Sequence, residues 1–212
     1  MSYNDTFIIA RDGFKCIAAS AALVLFFMVI DADLFAFLST LLFLLTIWAF
    51  RNPERTIPYR QQDSIVSVAD GVVKSIETLE DEKGENSYRI VIRSGILDAS
   101  VLRVPFSCDV SEVRSVFGAR LGPLAPLSER LNEQSRIVFG SDDKQVVVSH
   151  KLLLTSVGIA NHLIEKSSVV QGMRYGLMVN GETTMTLPSN SRVAVKVGDN
   201  VHAGETLVGF FS

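Results

Sequence analysis

Two charge-free apolar runs near the N-terminus limit what this chain can fold into more than any other feature. Residues 16–30 form a run of 15 residues and residues 34–50 a run of 17, with only Asp-Ala-Asp between them. Both runs are apolar on every side of a helix, whereas a helix on the surface of a soluble domain keeps a polar stripe. Each run is slightly shorter than the ~20 residues that cross a bilayer comfortably. The pattern predicts a membrane-associated helical hairpin over residues 16–50, which either spans the membrane or enters it and returns.

Basic residues flank the predicted hairpin on both outer sides. Arg11 and Lys15 precede it, and Arg51 and Arg55 follow it. Because cationic flanks stay on the cytoplasmic side of a membrane, both ends of the hairpin are expected to face the cytosol. A second apolar run argues against a cleaved signal peptide, which has only one. We therefore predict an interfacial segment over residues 1–15, a location in the cell inner membrane and a soluble domain on its cytoplasmic side.

The character of the sequence changes after the hairpin. Residues 51–63 hold Pro53 and Pro58 among charged residues, which predicts a linker. Residues 64–212 contain short Val- and Ile-rich segments between turn residues, which predicts a mainly β, barrel-sandwich-like domain of antiparallel strands. The predicted strands cover residues 64–68, 72–79, 87–93, 99–104, 135–140, 144–149, 152–159, 192–197 and 205–211. Residues 117–131, with two prolines and two glycines, predict a long irregular loop.

Composition and charge exclude several classes of function. Hydrophobic residues make up 48% of the chain and charged residues 20%, which suits a folded core. The net charge of −3 provides no basic field, so nucleic acid is not an expected partner.

The cysteines and histidines indicate neither disulfides nor a metal site. Cys16 and Cys108 do not make a disulfide framework, and two reduced thiols suit a cytosol-facing protein. His150, His162 and His202 lie 12 and 40 residues apart, which matches no compact metal site, and we interpret each as structural or surface-exposed.

Seven short motifs follow one another along the chain. They are YNDTF with ARDGF (3–14), FRNPERTIP (50–58), VADG (68–71), LDASVLRVP (97–105), NEQS (132–135), RYGLM to LP (174–188) and VKVGDNVHAGETL (195–207). In this order and spacing they resemble the short bacterial phosphatidylserine decarboxylases over almost the whole length. Each motif is weak alone, and the resemblance rests on the set.

The resemblance implies an unusual covalent chemistry. Members of this family make phosphatidylethanolamine with a pyruvoyl group that is formed from their own backbone. A serine after a glycine attacks the preceding carbonyl carbon, β-elimination splits the chain, and the new N-terminus hydrolyses to a ketone. The ketone forms an imine with the amine of phosphatidylserine and accepts the electrons released as carbon dioxide leaves. An aspartate and a histidine activate the family's serine in a triad-like arrangement.

Several of the family's reactive residues are replaced in this sequence. Asp70, in VADG, matches the aspartate, although an Asp-Gly turn explains it equally well. Ser100 stands at the histidine position, and a hydroxyl does not serve as a base near neutral pH. Glu182 stands at the serine position when Gly181 is paired with the family's glycine, whereas alignment from the Leu-Pro at 187–188 puts Gly181 itself there. Neither residue carries a β-hydroxyl, so the resemblance predicts no pyruvoyl group, and no other cofactor or metal is expected.

The segment from Asn180 to Thr184 allows two interpretations. Asn180-Gly181 between apolar flanks is typical of a two-residue hairpin with positive φ at both positions, which predicts an ordinary uncut turn. Thr183 and Thr184 do carry β-hydroxyls, however. Attack by one of them, with Asp70 assisting, would leave a 2-oxobutanoyl group in place of pyruvoyl.

Three functions remain open from the sequence. The first is a pseudoenzyme, a membrane-attached scaffold that binds membrane phospholipid headgroups or a partner such as an active decarboxylase paralogue. The second is a divergent, active phosphatidylserine decarboxylase that processes itself through a threonine. The third is a membrane-tethered adaptor whose β domain binds proteins and no headgroup.

Arg103 is a candidate for holding a phosphate or carboxylate, although a solvated charge at a strand edge explains it too. The resemblance also predicts a homo-oligomer.

Overall fold

The computed structural model describes residues 8–57, 63–80, 86–122, 124–140, 144–155 and 157–212. Four predictions fall partly outside these ranges. They are the interfacial segment without residues 1–7, the linker without residues 58–62, the loop 117–131 without residue 123 and the strand 152–159 without residue 156.

The apolar N-terminal segment folds into two helices that pack against each other. The helices are α1 (Phe14–Val29) and α2 (Asp33–Ala49), and a short 3-10 turn (Arg11–Gly13) precedes α1. The side chains of Phe27 and Phe35 stack across the pair with ring centroids 5.4 Å apart. The continuous helical segment Arg11–Val29 is long and apolar enough to cross a membrane, and α2 is an apolar helix of 17 residues. The predicted helical hairpin is confirmed.

The rest of the described chain consists mainly of strands. They are β1 (Ser64–Val66), β2 (Gly71–Glu80), β3 (Asn86–Ser94), β4 (Val101–Arg103), β5 (Cys108–Val116), β6 (Gln134–Phe139), β7 (Val146–Leu152), β8 (Ala160–Asn161), β9 (Ser168–Val169), β10 (Arg174–Leu177), β11 (Gly181–Leu187), β12 (Ser191–Val193), β13 (Asn200–Val201) and β14 (Leu207–Phe211). One short helix, α3 (Ser128–Leu131), precedes β6.

The strands form one large sheet and two small ones. The large sheet has the order β13-β2-β3-β11-β7-β6-β5-β9, and the small sheets have the orders β1-β14-β12 and β4-β10-β8. Every pair of neighbouring strands is antiparallel. The predicted mainly antiparallel β fold is therefore confirmed.

The large sheet has one apolar face and one polar face. Along β11, Thr183, Met185 and Leu187 are buried, whereas Thr184 and Thr186 between them are partly exposed. Because side chains alternate across a strand, the buried set points into the core and the other set faces outward. The inward face packs in a cluster with side chains of the small sheets, among them Ile65 and Tyr175.

A second, smaller apolar cluster joins the helical hairpin to the β domain. Ala49 and Phe50, at the end of α2, pack there against Val101, Leu177 and Val179 of the β domain. A backbone hydrogen bond of 3.0 Å from the Ala10 amide to the Phe50 carbonyl joins the two ends of the hairpin to each other. The end of α2 therefore lies against the small sheet that contains β4 and β10.

Several segments of the structure differ from the sequence prediction. The strand predicted over residues 152–159 is wrong, because β7 ends at Leu152 and the described residues that follow are irregular up to β8. The predicted strand at 192–197 ends at Val193. The predicted set of strands also lacks β8 to β11 and β13. Strand β5 is not predicted, because its exposed and half-buried residues follow no clean apolar alternation. It depends on its pairing with β6 and β9, which a local pattern does not reveal.

Candidate functional site

The three segments to which the resemblance assigns the family's reactive positions meet at one end of the large sheet. Ser94, at the end of β3, donates its hydroxyl hydrogen to the Asp70 carbonyl at 2.6 Å and lies opposite Gly181 in the register of β3 with β11. The Met178 amide donates to the Ser100 carbonyl at 2.8 Å. The fold thus brings the backbone around Asp70, Ser100 and Gly181 into one region.

Glu182 is held by three cations. Its carboxylate lies 2.8 Å from the Lys74 ammonium, 2.9 Å from that of Lys151 and 3.8 Å from the Arg93 guanidinium. The strand register explains the arrangement, because Arg93 on β3 and Lys151 on β7 are the direct cross-strand neighbours of Glu182. Burial acts to raise the pKa of Glu182, but the hydrogen bonds and charges of Lys74 and Lys151 outweigh it and hold the pKa below its ordinary value. The side chain is therefore an ionised structural group at neutral pH.

The predicted hairpin turn at Asn180-Gly181 is wrong. Gly181 is the first residue of β11, and neither residue has a positive φ. The chain passes here from β10 in a small sheet to β11 in the large sheet, so the flanking strands do not pair with each other. A side chain at Gly181 would place its Cβ 2.5 Å from the Met178 sulfur and 2.6 Å from the Lys151 carbonyl oxygen. Glycine is needed here for close approach and not for turn geometry.

Asp70 has a buried carboxylate that binds the linker and the C-terminal tail. One oxygen lies 2.6 Å from the Arg55 guanidinium, and the other accepts the Ala203 amide hydrogen at 2.7 Å. The His202 ring nitrogen lies 3.5 Å from the first oxygen. Asp70 thus has structural partners on both sides, and its contacts do not reach Thr183 or Thr184.

Ser100, which the resemblance places at the family's histidine position, is also buried and has a structural partner. Its hydroxyl donates to the Ala49 carbonyl at 2.7 Å. Ala49 is the last residue of α2, and carbonyls at the end of a helix lack partners within the helix. The serine therefore anchors the end of the hairpin on the β domain.

Thr183 has a contact that sequence reasoning missed. Its hydroxyl lies 2.9 Å from Nδ1 of His150, whose Nε2 lies 2.6 Å from the Tyr175 hydroxyl. All three side chains are buried in the core, and burial lowers the pKa of His150 to about 3, so the imidazole is neutral. The cross-strand pairing of Thr183 with His150 was the only signal, and it requires the register of β11 with β7. Thr184 points to the outer face and lines a polar groove there.

Arg103 is buried and not a solvated charge at a strand edge. Its guanidinium donates to the Gly172 carbonyl at 3.1 Å and to the Pro53 carbonyl at 2.8 Å. Burial, together with the nearby charges of Arg174 and Arg55, lowers the pKa of Arg103 to about 10. The contacts fix the linker, and binding of a headgroup by Arg103 stays a prediction.

The contacts of Arg174 and Arg55 give the FRNPERTIP motif a structural role. Arg174 donates to the Asn52 side-chain oxygen at 2.8 Å and pairs with Glu54 at 2.7 Å. Arg55 pairs with Asp70 and, at 2.8 Å, with Glu205 of the tail. This motif therefore clasps the described part of the linker onto the β domain.

The chain resembles one family of known proteins over most of its length. The sequence model of the family described as phosphatidylserine decarboxylase matches residues 42–209. A phosphatidylserine decarboxylase proenzyme of Symbiobacterium thermophilum is 30% identical over 211 residues, which cover 95% of each chain. The proenzyme of Chlorobium chlorochromatii is 36% identical over 169 residues, 78% of this chain and 79% of its own. That of Syntrophus aciditrophicus is 31% identical over 215 residues, 98% of this chain and 99% of its own.

The family match includes the end of α2, the linker and nearly all of the β domain. The relatives of Symbiobacterium thermophilum and Syntrophus aciditrophicus match 95% and 98% of this chain, so their similarity also extends into the segment before residue 42. With the expected order of motifs, these matches settle the relationship: the chain belongs to the phosphatidylserine decarboxylase family.

Proposed function

We propose that this chain is a membrane-associated member of the family that forms no pyruvoyl group and does not decarboxylate phosphatidylserine. The proposal rests on the position and the contacts of Glu182. It stands at the serine position in the alignment through Gly181, lies inside strand β11 and is bound by three cations. Such a residue has a role in holding the sheet together.

The chemistry of self-cleavage supports the proposal. Attack on the preceding carbonyl and β-elimination both need an oxygen on Cβ, which becomes first the ester oxygen and then the leaving group. Glu182 has no oxygen on Cβ and Gly181 has no side chain, so neither supplies that leaving group. The loss extends to the base, because Ser100 replaces the family's histidine and its hydroxyl already donates to Ala49.

The role that remains is that of a membrane scaffold. The basic flanks of the hairpin support an inner-membrane location with the β domain on the cytoplasmic side. The retained β domain would bind phospholipid headgroups or a protein partner. An active decarboxylase paralogue and a second copy of this chain are the partners that the family relationship suggests.

A carbonyl-trapping reagent tests the proposal on the purified full chain. A hydrazine forms a stable adduct with a pyruvoyl or 2-oxobutanoyl group, so the proposal predicts no adduct by mass spectrometry and no phosphatidylethanolamine from phosphatidylserine vesicles. An adduct on an N-terminal keto group, accompanied by turnover, would overturn it. Turnover that persists after Thr183→Ala and Thr184→Ala, without any adduct, would identify a contaminating enzyme.

One contact favours a second candidate, an active decarboxylase that processes itself at Thr183. The Thr183 hydroxyl would give its proton to Nδ1 of His150 at 2.9 Å and attack the Glu182 carbonyl carbon. The amide would become an ester, and β-elimination would release Glu182 as a carboxylate and leave a dehydrated threonine. Water would convert that residue to a 2-oxobutanoyl group with loss of ammonia.

Two properties of this contact argue against the second candidate. The pKa of about 3 makes His150 a poor base, because an effective general base has a pKa near the working pH. Thr183 is also fully buried beside His150, so a ketone formed there would lie in the core and not at a lipid. If the candidate is nevertheless right, the hydrazine adduct forms in the wild type and with Thr184→Ala, and disappears with Thr183→Ala.

A further inference from the structure

Three exposed apolar side chains lie at the end of the β domain from which the hairpin emerges. Ile96 and Leu97, in the turn between β3 and β4, are 53% and 64% exposed, and Leu154, just after β7, is 64% exposed. Large apolar side chains that cluster at one exposed site mark a surface for interaction with a partner or a membrane.

Hydrogen bonds place the first of these turns beside the end of α2. The Leu97 carbonyl accepts from the Trp48 indole at 3.2 Å and from the Arg51 guanidinium at 2.9 Å. The Arg51 guanidinium also lies over the Trp48 ring, 4.4 Å from its centroid. Trp and Arg at the end of an apolar helix are typical of the membrane–water interface. The turn with Ile96 and Leu97 therefore lies at the level of the headgroups if the hairpin is in a membrane.

Leu154 lies at the same end of the domain. Its carbonyl accepts from the Asn180 side chain at 2.8 Å. The neighbouring Val179 belongs to the cluster that contains Ala49 and Phe50, the last residues of the hairpin. The turn with Ile96 and Leu97 and the segment with Leu154 thus both border the base of the hairpin. We call these three side chains the apolar tips.

Basic residues stand directly behind the apolar tips. Arg93 lies on β3, three residues before Ile96, and Lys151 lies on β7, three residues before Leu154. Lys74 on β2 faces the same side, because it also binds the Glu182 carboxylate. Together with Glu182 these side chains carry a charge of +2, from three cations less one carboxylate, although the whole chain carries −3. Arg51 at the Leu97 carbonyl adds one positive charge and Asp98 in the same turn subtracts one, so these groups at the hairpin end of the sheet keep a net positive charge.

We propose that this end of the domain is a docking surface for a bilayer that contains anionic phospholipid. We call it the docking edge and define it by Lys74, Arg93, Ile96, Leu97, Lys151 and Leu154. Its apolar tips enter the interface, and its cations lie near the headgroup phosphates, each contributing to attraction to a negative membrane surface. The docking edge rests on the membrane location of the hairpin in the proposed function and is independent of whether the chain processes itself.

The bilayer fits this surface because the docking edge continues the surface of the hairpin. A surface with tips at Ile96 and Leu97 and cations behind them has the order of contacts that a peripheral membrane segment shows. The attraction depends on net charge and not on one headgroup. Phosphatidylglycerol and phosphatidylserine at equal surface charge should therefore be bound alike.

Hydrogen–deuterium exchange of the full chain in lipid nanodiscs tests the docking edge. Peptides that cover residues 94–98 and 152–155 should exchange more slowly in discs with phosphatidylglycerol than in discs of phosphatidylcholine alone. Phosphatidylserine at the same surface charge should give the same protection. High salt should remove the difference, because the screening length falls from about 10 Å at 0.1 M to about 3 Å at 1 M.

A charge variant and a matched control sharpen the test. Lys74→Gln with Lys151→Gln should lower the protection by about 20-fold or more, since each basic residue near an anionic surface contributes a factor of about five. Arg192→Gln with Lys196→Gln removes two exposed cations on and after β12 and should leave it unchanged. The salt dependence of the wild type decides the question if the first variant folds poorly.

Two results would overturn the docking edge. One is equal exchange of both peptides in neutral and anionic discs at low salt. The other is protection by phosphatidylserine but not by phosphatidylglycerol, which would identify a headgroup-specific site. A chain that does not enter nanodiscs would refute the membrane location itself. Neither result on the docking edge would change what the carbonyl-trapping experiment is expected to show.

Discussion

Replacement of Glu182 by glutamine tests whether this residue has become a structural part of the sheet. The variant keeps the size of the side chain and removes the negative charge that Lys74, Lys151 and Arg93 surround. The Glu182 side chain is only 11% exposed, and its contacts to Lys74 and Lys151 are charged hydrogen bonds at 2.8 and 2.9 Å. Such bonds are worth more than exposed ion pairs, so we expect a loss of about 2–3 kcal/mol in the free energy of unfolding.

The lowered pKa of Glu182 also predicts how the free energy of unfolding depends on pH. The pKa of folded Glu182 lies below its ordinary value of 4.5, which the unfolded chain should show. The stabilisation by the charge is therefore fully present above about pH 4.5 and is lost as the pH falls through the folded-state pKa. Urea unfolding in micelles at several pH values should show the wild type and Glu182→Gln converging in acid.

A matched control separates this effect from general loss of charge. Glu77 lies on the same outer face, but its side chain is 52% exposed, and its pair with Arg89 spans 3.7 Å. Glu77→Gln should cost less than about 1 kcal/mol. A loss for Glu182→Gln that is no larger than for Glu77→Gln, or that does not shrink in acid, would refute the structural role of Glu182.

Three further substitutions test individual contacts by urea unfolding. Thr183→Val should cost about 1–3 kcal/mol because it leaves a buried nitrogen of His150 without its partner, and an unchanged midpoint would contradict that contact. Arg103→Met should cost about 2 kcal/mol or more and make the described part of the linker easier to cut with protease, since two carbonyls lose a charged donor. Gly181→Ala should cost about 1–3 kcal/mol because its Cβ meets atoms at 2.5 and 2.6 Å, whereas Gly122→Ala, with nothing within 4 Å, should be close to neutral.

The hairpin and the β class could be predicted because both are written in local composition. A charge-free run longer than a dozen residues leaves a helix no polar side to present to water, and this holds for α1 and α2 whatever surrounds them. Val- and Ile-rich segments between turns likewise predict strands without any knowledge of their partners. Strand β5 could not be predicted, because its pairing with β6 and β9, and not its own sequence pattern, holds it in the sheet.

The error at Asn180-Gly181 shows where a local signal fails. A hairpin requires that the flanking strands pair with each other, and this depends on the whole topology. Here β10 pairs with β4 and β8, while β11 pairs with β3 and β7. The glycine serves a close contact with Met178 and Lys151, which no two-residue pattern reveals.

The side-chain contacts of the candidate site depend on register and long-range packing. His150 and Thr183 are 33 residues apart and meet only because β7 and β11 pair in one register. Asp70 could be placed in the right region by its motif, but its partners Arg55 and Ala203 come from the linker and the tail. The resemblance therefore predicted which family positions Asp70, Ser100 and Glu182 occupy, and not what their side chains contact.

The intact mass of the purified full chain tests the central claim most directly. An uncut backbone predicts one polypeptide near 23.3 kDa. Two polypeptides that together account for the same sequence, the smaller one beginning at residue 181, 182, 183 or 184 with a keto group in place of its amine, would contradict the account.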